Sequence, residues 1–229
     1  MATATPPKPK QPAKKAAKSS NGNALLIGIT AVMVVIGIAV IVMFTGSDTP
    51  VKSTTGNNSK SSEFQDVKVT GSLSSLPDSG TDADIGKPAP TATGKNFAGD
   101  PVTLIQPGKP TMIVFAAHWC PHCNAELPLI IDWMKSNGNK DVDVIAVTTG
   151  SDVNKPNWPP SSWLANLGWG GRVLADSKDQ TLAQAYGLTG YPYMVFVDAK
   201  GNVSTRFSGE RPISDIDAAI AKISTNAAG

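Results

Sequence analysis

One uninterrupted apolar run limits what this chain can become. Residues 24–44, ALLIGITAVMVVIGIAVIVMF, carry no charge over 21 positions. As a helix rising ~1.5 Å per residue the run spans roughly 31 Å, which matches a hydrocarbon core of ~30 Å. It therefore reads as an uncleaved transmembrane helix. A buried core helix is the plainer alternative, but charge-free runs of this length are uncommon in water-soluble domains. A cleaved secretory leader is the other. Its apolar region usually covers only ~7–15 residues, and the sole small-residue cleavage site after the run is Thr45-Gly46-Ser47.

The flanks set orientation. Residues 1–23 hold Lys8, Lys10, Lys14, Lys15 and Lys18 with no acid. They lack the apolar content to offset ordering entropy, so disorder is expected, and positive flanks stay cytoplasmic. The 229-residue chain has a formal charge of +2, so the 206 residues after that tail sum to −3. The basic character belongs to the tail, and no nucleic-acid partner is expected. Residues 45–84 are dominated by Ser, Thr, Gly, Asn and Asp. They read as a flexible extracytoplasmic linker with a coil reach of roughly 35 Å, in which only EFQDVKV, residues 63–69, alternates weakly.

From Ile85 the texture changes. TMIVFAA (111–117) and VDVIAVTT (142–149) are continuous apolar runs of the kind that form central strands. Leu127, Ile130, Ile131 and Met134 mark one face of a helix between them. SSWLANL (161–167) reads as a short helix, RVLAD (172–176) as a strand and QTLAQAYGL (180–188) as a helix ending at Gly187. YMVFVD (193–198) and NVSTRFS (202–208) form a hairpin. Ser214 is placed to cap a last helix whose buried stripe is Ile216, Ile220 and Ile223. Strands joined by helices predict a three-layer α/β domain over residues 85–225.

The chemistry concentrates in His118-Trp119-Cys120-Pro121-His122-Cys123, between the first apolar strand and the first amphipathic helix. A cysteine at a helix start meets unpaired backbone N–H groups and the positive end of the helix dipole, and both favour thiolate. Cys120 is the expected nucleophile that forms a mixed disulfide. Cys123, one turn inward, resolves it. Pro121 stiffens the turn, and His122 can set an N–H or a partial positive charge beside the sulfur. Each pKa unit by which the thiolate is favoured is worth ~1.4 kcal/mol, or ~30 mV toward a stronger oxidant. Pro121 and His122 are thus the expected redox-tuning residues, biased toward oxidation.

Other uses of these residues fit less well. Two cysteines are too few for a disulfide scaffold or an iron–sulfur cluster. A closed zinc site would need both cysteines and both histidines, and adjacent His122 and Cys123 chelate badly around one metal. No metal or other cofactor is expected. A structural disulfide closing so short a loop would constrain the unfolded chain little. Trp119 is read as presenting the cysteine to substrate, with core packing as its alternative. His118 is expected to be a solvated loop residue. Trp158, Trp163 and Trp169 are expected to pack into the core rather than form a partner surface.

IGKPAP (85–90) with GDPVTL (99–104), FAAHWCPHCNAELP (115–128) and AYGLTGYPYMVFVDAKGNV (185–203) together resemble the thioredoxin superfamily, in particular its TlpA-like membrane-anchored branch. The resemblance implies a thioredoxin-like fold with a central mixed β-sheet and an N-terminal β-hairpin. It implies a redox-active Cys120–Cys123 disulfide. It also implies a cis Pro192 opposite the cysteines, with the backbone at Tyr191 pairing with bound peptide, so Tyr191 and Pro192 join Trp119 as substrate-binding residues. The family's buried acid, six residues before the first cysteine, is replaced by Val114. Proton transfer then falls to water, His122 or Glu126. Pro128 would kink the active-site helix. The CPHC dipeptide looks like that of DsbA-type oxidases, whereas the framework is shared with reductases.

The combined expectation is a membrane-anchored thiol–disulfide oxidoreductase. It would exchange disulfides with secreted or envelope proteins in the oxidising direction and be recharged by a membrane redox partner. The alternatives are a reductant for a dedicated client, such as an apocytochrome cysteine pair, and a non-catalytic peptide-binding module.

Overall fold

The computed structural model describes residues 62–137 and 141–225. The basic tail, the apolar run 24–44 and the first part of the linker lie outside the described residues. Among those that are described, no helix is long and apolar enough to cross a membrane.

The two apolar runs become the centre of the sheet. Strands β4 (Thr111–Ala116) and β5 (Asp143–Thr148) are buried at every position. They lie parallel, with Ile113 opposite Ile145 and Phe115 opposite Val147. β6 (Arg172–Ala175) continues the parallel set beside β5. On the other side β7 (Tyr193–Val197) runs antiparallel to β4, and β8 (Val203–Ser208) antiparallel to β7. β1 (Lys68–Thr70), β2 (Thr91–Lys95) and β3 (Pro101–Thr103) complete an eight-stranded mixed sheet in the order β1-β2-β6-β5-β4-β7-β8, with β3 on β2. The β2–β3 pairing is the expected N-terminal hairpin.

Strand alternation divides the core into two layers. Met112, Val114 and Ala116 point to a face covered by α1 (Pro121–Asn137), α2 (Pro160–Leu167) and α4 (Ile213–Thr225), through Leu127, Ile130, Trp163, Ile216 and Ile223. Ile113 and Phe115 point to the opposite face, where α3 (Thr181–Ala185) packs Leu182 and Ala183 beside Tyr186 and Leu104. Of the three tryptophans, Trp163 is buried in the first layer and Trp169 packs against it. α1 runs through Pro128 without a break. α3 is shorter than expected, and α4 starts at Ile213, so Ser214 lies inside the helix rather than capping it.

The expected linker ends too late. Residues 62–84 belong to the folded unit. β1 pairs with β2 from Lys68 to Thr70, and Leu73 is buried in the second core layer. The Leu73 N–H bonds the Ala185 carbonyl at 2.8 Å, and the Leu76 N–H bonds that of Gly187 at 3.1 Å. Gly187 has a φ of +65°, and a Cβ there would lie 2.1 Å from the Ser74 carbonyl oxygen, so this close passage requires glycine. Farther along, the fully buried Arg206 guanidinium pairs with Asp82 and Asp84 and donates to the Ser74 carbonyl at 2.8 Å. Backbone bonds and an ion cluster fix the segment, and neither leaves an apolar period in the sequence.

Candidate active site

The site forms at the carboxyl end of β4, where the chain turns into α1. Cys120 is the residue before the first helical one, Pro121, and its N–H is taken by the Ala117 carbonyl at 3.0 Å. This is the expected helix-start position. Both cysteines are free thiols. Cys120 keeps 5% of its surface exposed and Cys123 none. The Cys120 Sγ lies 3.8 Å from the Tyr191 carbonyl oxygen. The Tyr191–Pro192 bond is cis, so the loop before β7 faces the cysteines as the resemblance implies.

Burial pushes the Cys123 thiol far above the ordinary cysteine range; the Ala117 backbone N–H opposes this, and the neighbouring Cys120 and Glu126 add to it. Glu126, one of the expected proton-transfer candidates, is buried, with only 1% of its surface exposed. Burial raises its carboxyl pKa, with the Arg211 N–H, 3.3 Å from Oε2, acting the other way. Its Oε1 has no hydrogen-bond partner among the described residues. Val114, in the position of the absent family acid, is fully buried apolar core. A buried carboxylate beside a buried thiol can accept the proton that Cys123 must lose to become a nucleophile.

Two aromatic residues flank Cys120. Trp119 donates its indole N–H to the Gly150 carbonyl at 2.7 Å and meets the Tyr191 ring edge-on at 5.8 Å. Tyr191 donates its hydroxyl to Gln180 Oε1 at 3.1 Å, and burial pushes that hydroxyl up to about 12. Gly150, at a φ of +59°, leaves room for this pair, since a Cβ there would sit 2.5 Å from the Tyr191 hydroxyl oxygen. Sequence reasoning passed over Gly150 and Gln180 because each acts through a fold contact.

The two histidines divide differently from expectation. His118 is 1% exposed, not solvated. Its Nδ1 donates to the Pro156 carbonyl at 2.6 Å and its Nε2 accepts the Asp152 N–H at 3.1 Å. It fastens the loop that walls the site, and Trp158 stacks edge-on against it at 5.7 Å. Asn124 extends this wall, donating to the Cys120 carbonyl at 2.7 Å and accepting the Trp163 indole N–H at 2.8 Å. His122 is exposed at the rim, with Nδ1 2.5 Å from Glu210 Oε1. With both His118 nitrogens on the loop backbone and Nδ1 of His122 on Glu210, the four Cys and His side chains do not converge as zinc ligands would.

Known proteins place this geometry. The Redoxin family model matches residues 84–220, more than half of the chain. A thiol:disulfide interchange protein DsbE from Pseudomonas fluorescens biotype C is 30% identical over 128 residues, covering 55% of this chain and 67% of its own. Nucleoredoxin from Xenopus laevis is 26% identical over 109 residues, and that match spans 46% of this chain but only 25% of nucleoredoxin. Among solved structures, a thiol:disulfide interchange protein of the thioredoxin family from Chlorobium tepidum superposes with a TM-score of 0.50 at 26% identity, covering 62% of this chain and 99% of its own. The chain belongs to the Redoxin family, among the thioredoxin-fold thiol:disulfide oxidoreductases of the TlpA/DsbE-like kind.

Proposed function

We propose that the protein is anchored by residues 24–44 and works outside the cytoplasmic membrane, passing its disulfide to cysteines of secreted or envelope proteins. The observation that carries the reading is a dithiol at the start of α1 facing the cis Tyr191–Pro192 loop, with Cys120 5% exposed and Cys123 fully buried behind it. In the oxidised form a client thiolate attacks the Cys120 sulfur and the Cys120–Cys123 bond breaks. The electron pair leaves on Cys123, which takes a proton. A second client thiolate then attacks the client sulfur of the mixed disulfide and releases Cys120 as thiolate. Two electrons have entered the dithiol, and a membrane redox partner removes them. The tyrosine carbonyl facing Cys120 supports docking of an extended client at Tyr191 and Pro192, with Trp119 as the adjoining wall. The CPHC dipeptide supports the oxidising direction, and compartments outside the cytoplasm are where disulfides persist.

Glu126 favours a second reading. A base beside Cys123 speeds its attack on a mixed disulfide, which is the step that completes reduction of a client. A reductant for a dedicated client is therefore the alternative. Equilibration with glutathione separates the two. A potential well above that of thioredoxin (~−270 mV) is expected, and a value close to it reverses the direction. Cys120→Ser is expected to abolish turnover. Unchanged biological activity in that variant would instead make the protein a peptide-holding module.

A further inference from the structure

We infer that Glu210 is a positioning residue for the exchange reaction: it holds His122 through Nδ1, so that Nε2 is the nitrogen that takes up and returns the proton of the client thiol. The inference rests on the dithiol reading above and adds a proton path to it.

The Glu210 carboxylate is placed by backbone bonds on either side. The Gly209 N–H donates to the Pro192 carbonyl at 2.8 Å, and the Arg211 N–H donates to Glu126 Oε2 at 3.3 Å. The loop from β8 to α4 is thus tied to the cis-proline loop and to the carboxyl beside Cys123. Glu210 stands between the two ties. The Arg211 guanidinium lies 5.1 Å over the Phe207 ring and donates to the Ser208 carbonyl at 3.4 Å. Glu210 meets the imidazole directly; the titratable groups nearest His122 in sequence are Cys120 and Cys123, and Glu126 and Arg211 tie α1 to the Glu210 loop.

The chemistry follows from donor and acceptor rules. An ionised carboxylate only accepts, so the bonded Nδ1 carries the hydrogen. In the neutral ring Nε2 is then an unprotonated base. When a client thiol enters, its proton moves to Nε2 and its sulfur attacks the Cys120 sulfur, breaking the bond to Cys123. The imidazolium formed is balanced by Glu210. His122, exposed at the rim, then returns the proton through solvent as the thiolate departing on Cys123 takes one up, so no net proton is lost in this step. A base held by a third group is the general arrangement for activating a sulfur or oxygen nucleophile.

The test uses the full chain with ¹⁵N-labelled histidine, and His118 is the only other imidazole. Wild type, Glu210→Gln, His122→Gln and the double variant are compared in oxidising a dithiol peptide from pH 5 to pH 9. The wild-type His122 spectrum is expected to show the Nδ1–H tautomer, which Glu210→Gln loses. Each single variant is expected to react about tenfold more slowly near pH 7, and the double variant no more slowly than either. The gap is expected to close at pH 9, where the client thiol ionises unaided. An unchanged tautomer in Glu210→Gln, or a rate loss equal at all pH values, overturns the assignment. If wild type reduces the peptide disulfide rather than oxidising the dithiol, the proposed direction fails while the dyad is judged by the same comparison run in reverse.

Discussion

Cys120 and Cys123 stand on one helix turn, yet burial gives them different work. The proposed mechanism has the outer residue, Cys120, meet partners at the mouth of the site. The inner one is held as a thiol by desolvation and needs a local base. Glu126 fits that need at a cost to the fold. Its carboxyl pKa is raised by burial, so the native state binds that proton more tightly than the unfolded chain. Its ionisation therefore removes stability as pH rises from the unfolded value of ~4.3 through the folded one. Glu126→Gln is expected to raise Tm at pH 7 and to lose that advantage at pH 4. The same variant is expected to slow resolution of a Cys120 mixed disulfide about 100-fold at pH 7 in single-turnover measurements. At this scale the sequence was informative where the contact is local. Cys120, Pro121, His122 and Cys123 are neighbours, and Glu126 lies one turn farther along. Glu210 is 88 positions from His122 and stands in SGERP, a stretch with no period or motif. Nothing local marks it.

Among the elements, β4, β5 and β7 were legible because they are buried on both faces and so read as unbroken apolar runs. α1 and α4 followed from their apolar stripes, although in α4 Ala219 is buried where Ile220 was expected and Ile220 is only half-buried. Residues 62–84 were not legible, since they join the fold through backbone pairing and charge. The Arg206 cluster carries much of that attachment, and removing the guanidinium leaves Asp82 without its cation and Asp84 with Lys87 alone. Arg206→Ala is expected to cost about 3–5 kcal/mol in urea denaturation at pH 7. The cluster also has a defined pH window. Hydrogen bonding from Arg206 holds the Asp82 carboxyl below its usual range. For Asp84, burial pushes upward but bonds from Lys87 and the Ser74 N–H win, and the net shift is again downward. A depressed folded value contributes stability above the unfolded carboxylate value of ~3.9 and loses it as pH falls through the folded value. The penalty of Arg206→Ala is therefore expected to shrink below about pH 4.

At the scale of the whole molecule, every residue of the site comes from one end of the sheet. Cys120 follows β4, Gly150 follows β5, Pro192 precedes β7 and Glu210 follows β8. Open α/β sheets place their chemistry outside the carboxyl ends of parallel strands, where loops converge and the backbone is free to meet a partner. In the proposed mechanism that edge presents Cys120 as the reactive sulfur with Cys123 beneath it to resolve, so a client joins the outer cysteine first. Trapping tests this directly. Cys123→Ala and Cys120→Ala are each incubated with a disulfide-bonded client peptide, and the adducts are mapped by mass spectrometry. A stable mixed disulfide on Cys120 in the first variant, and none on Cys123 in the second, is the predicted result. Comparable adduct on Cys123 when Cys120 is absent would contradict the division of labour on which the mechanism stands.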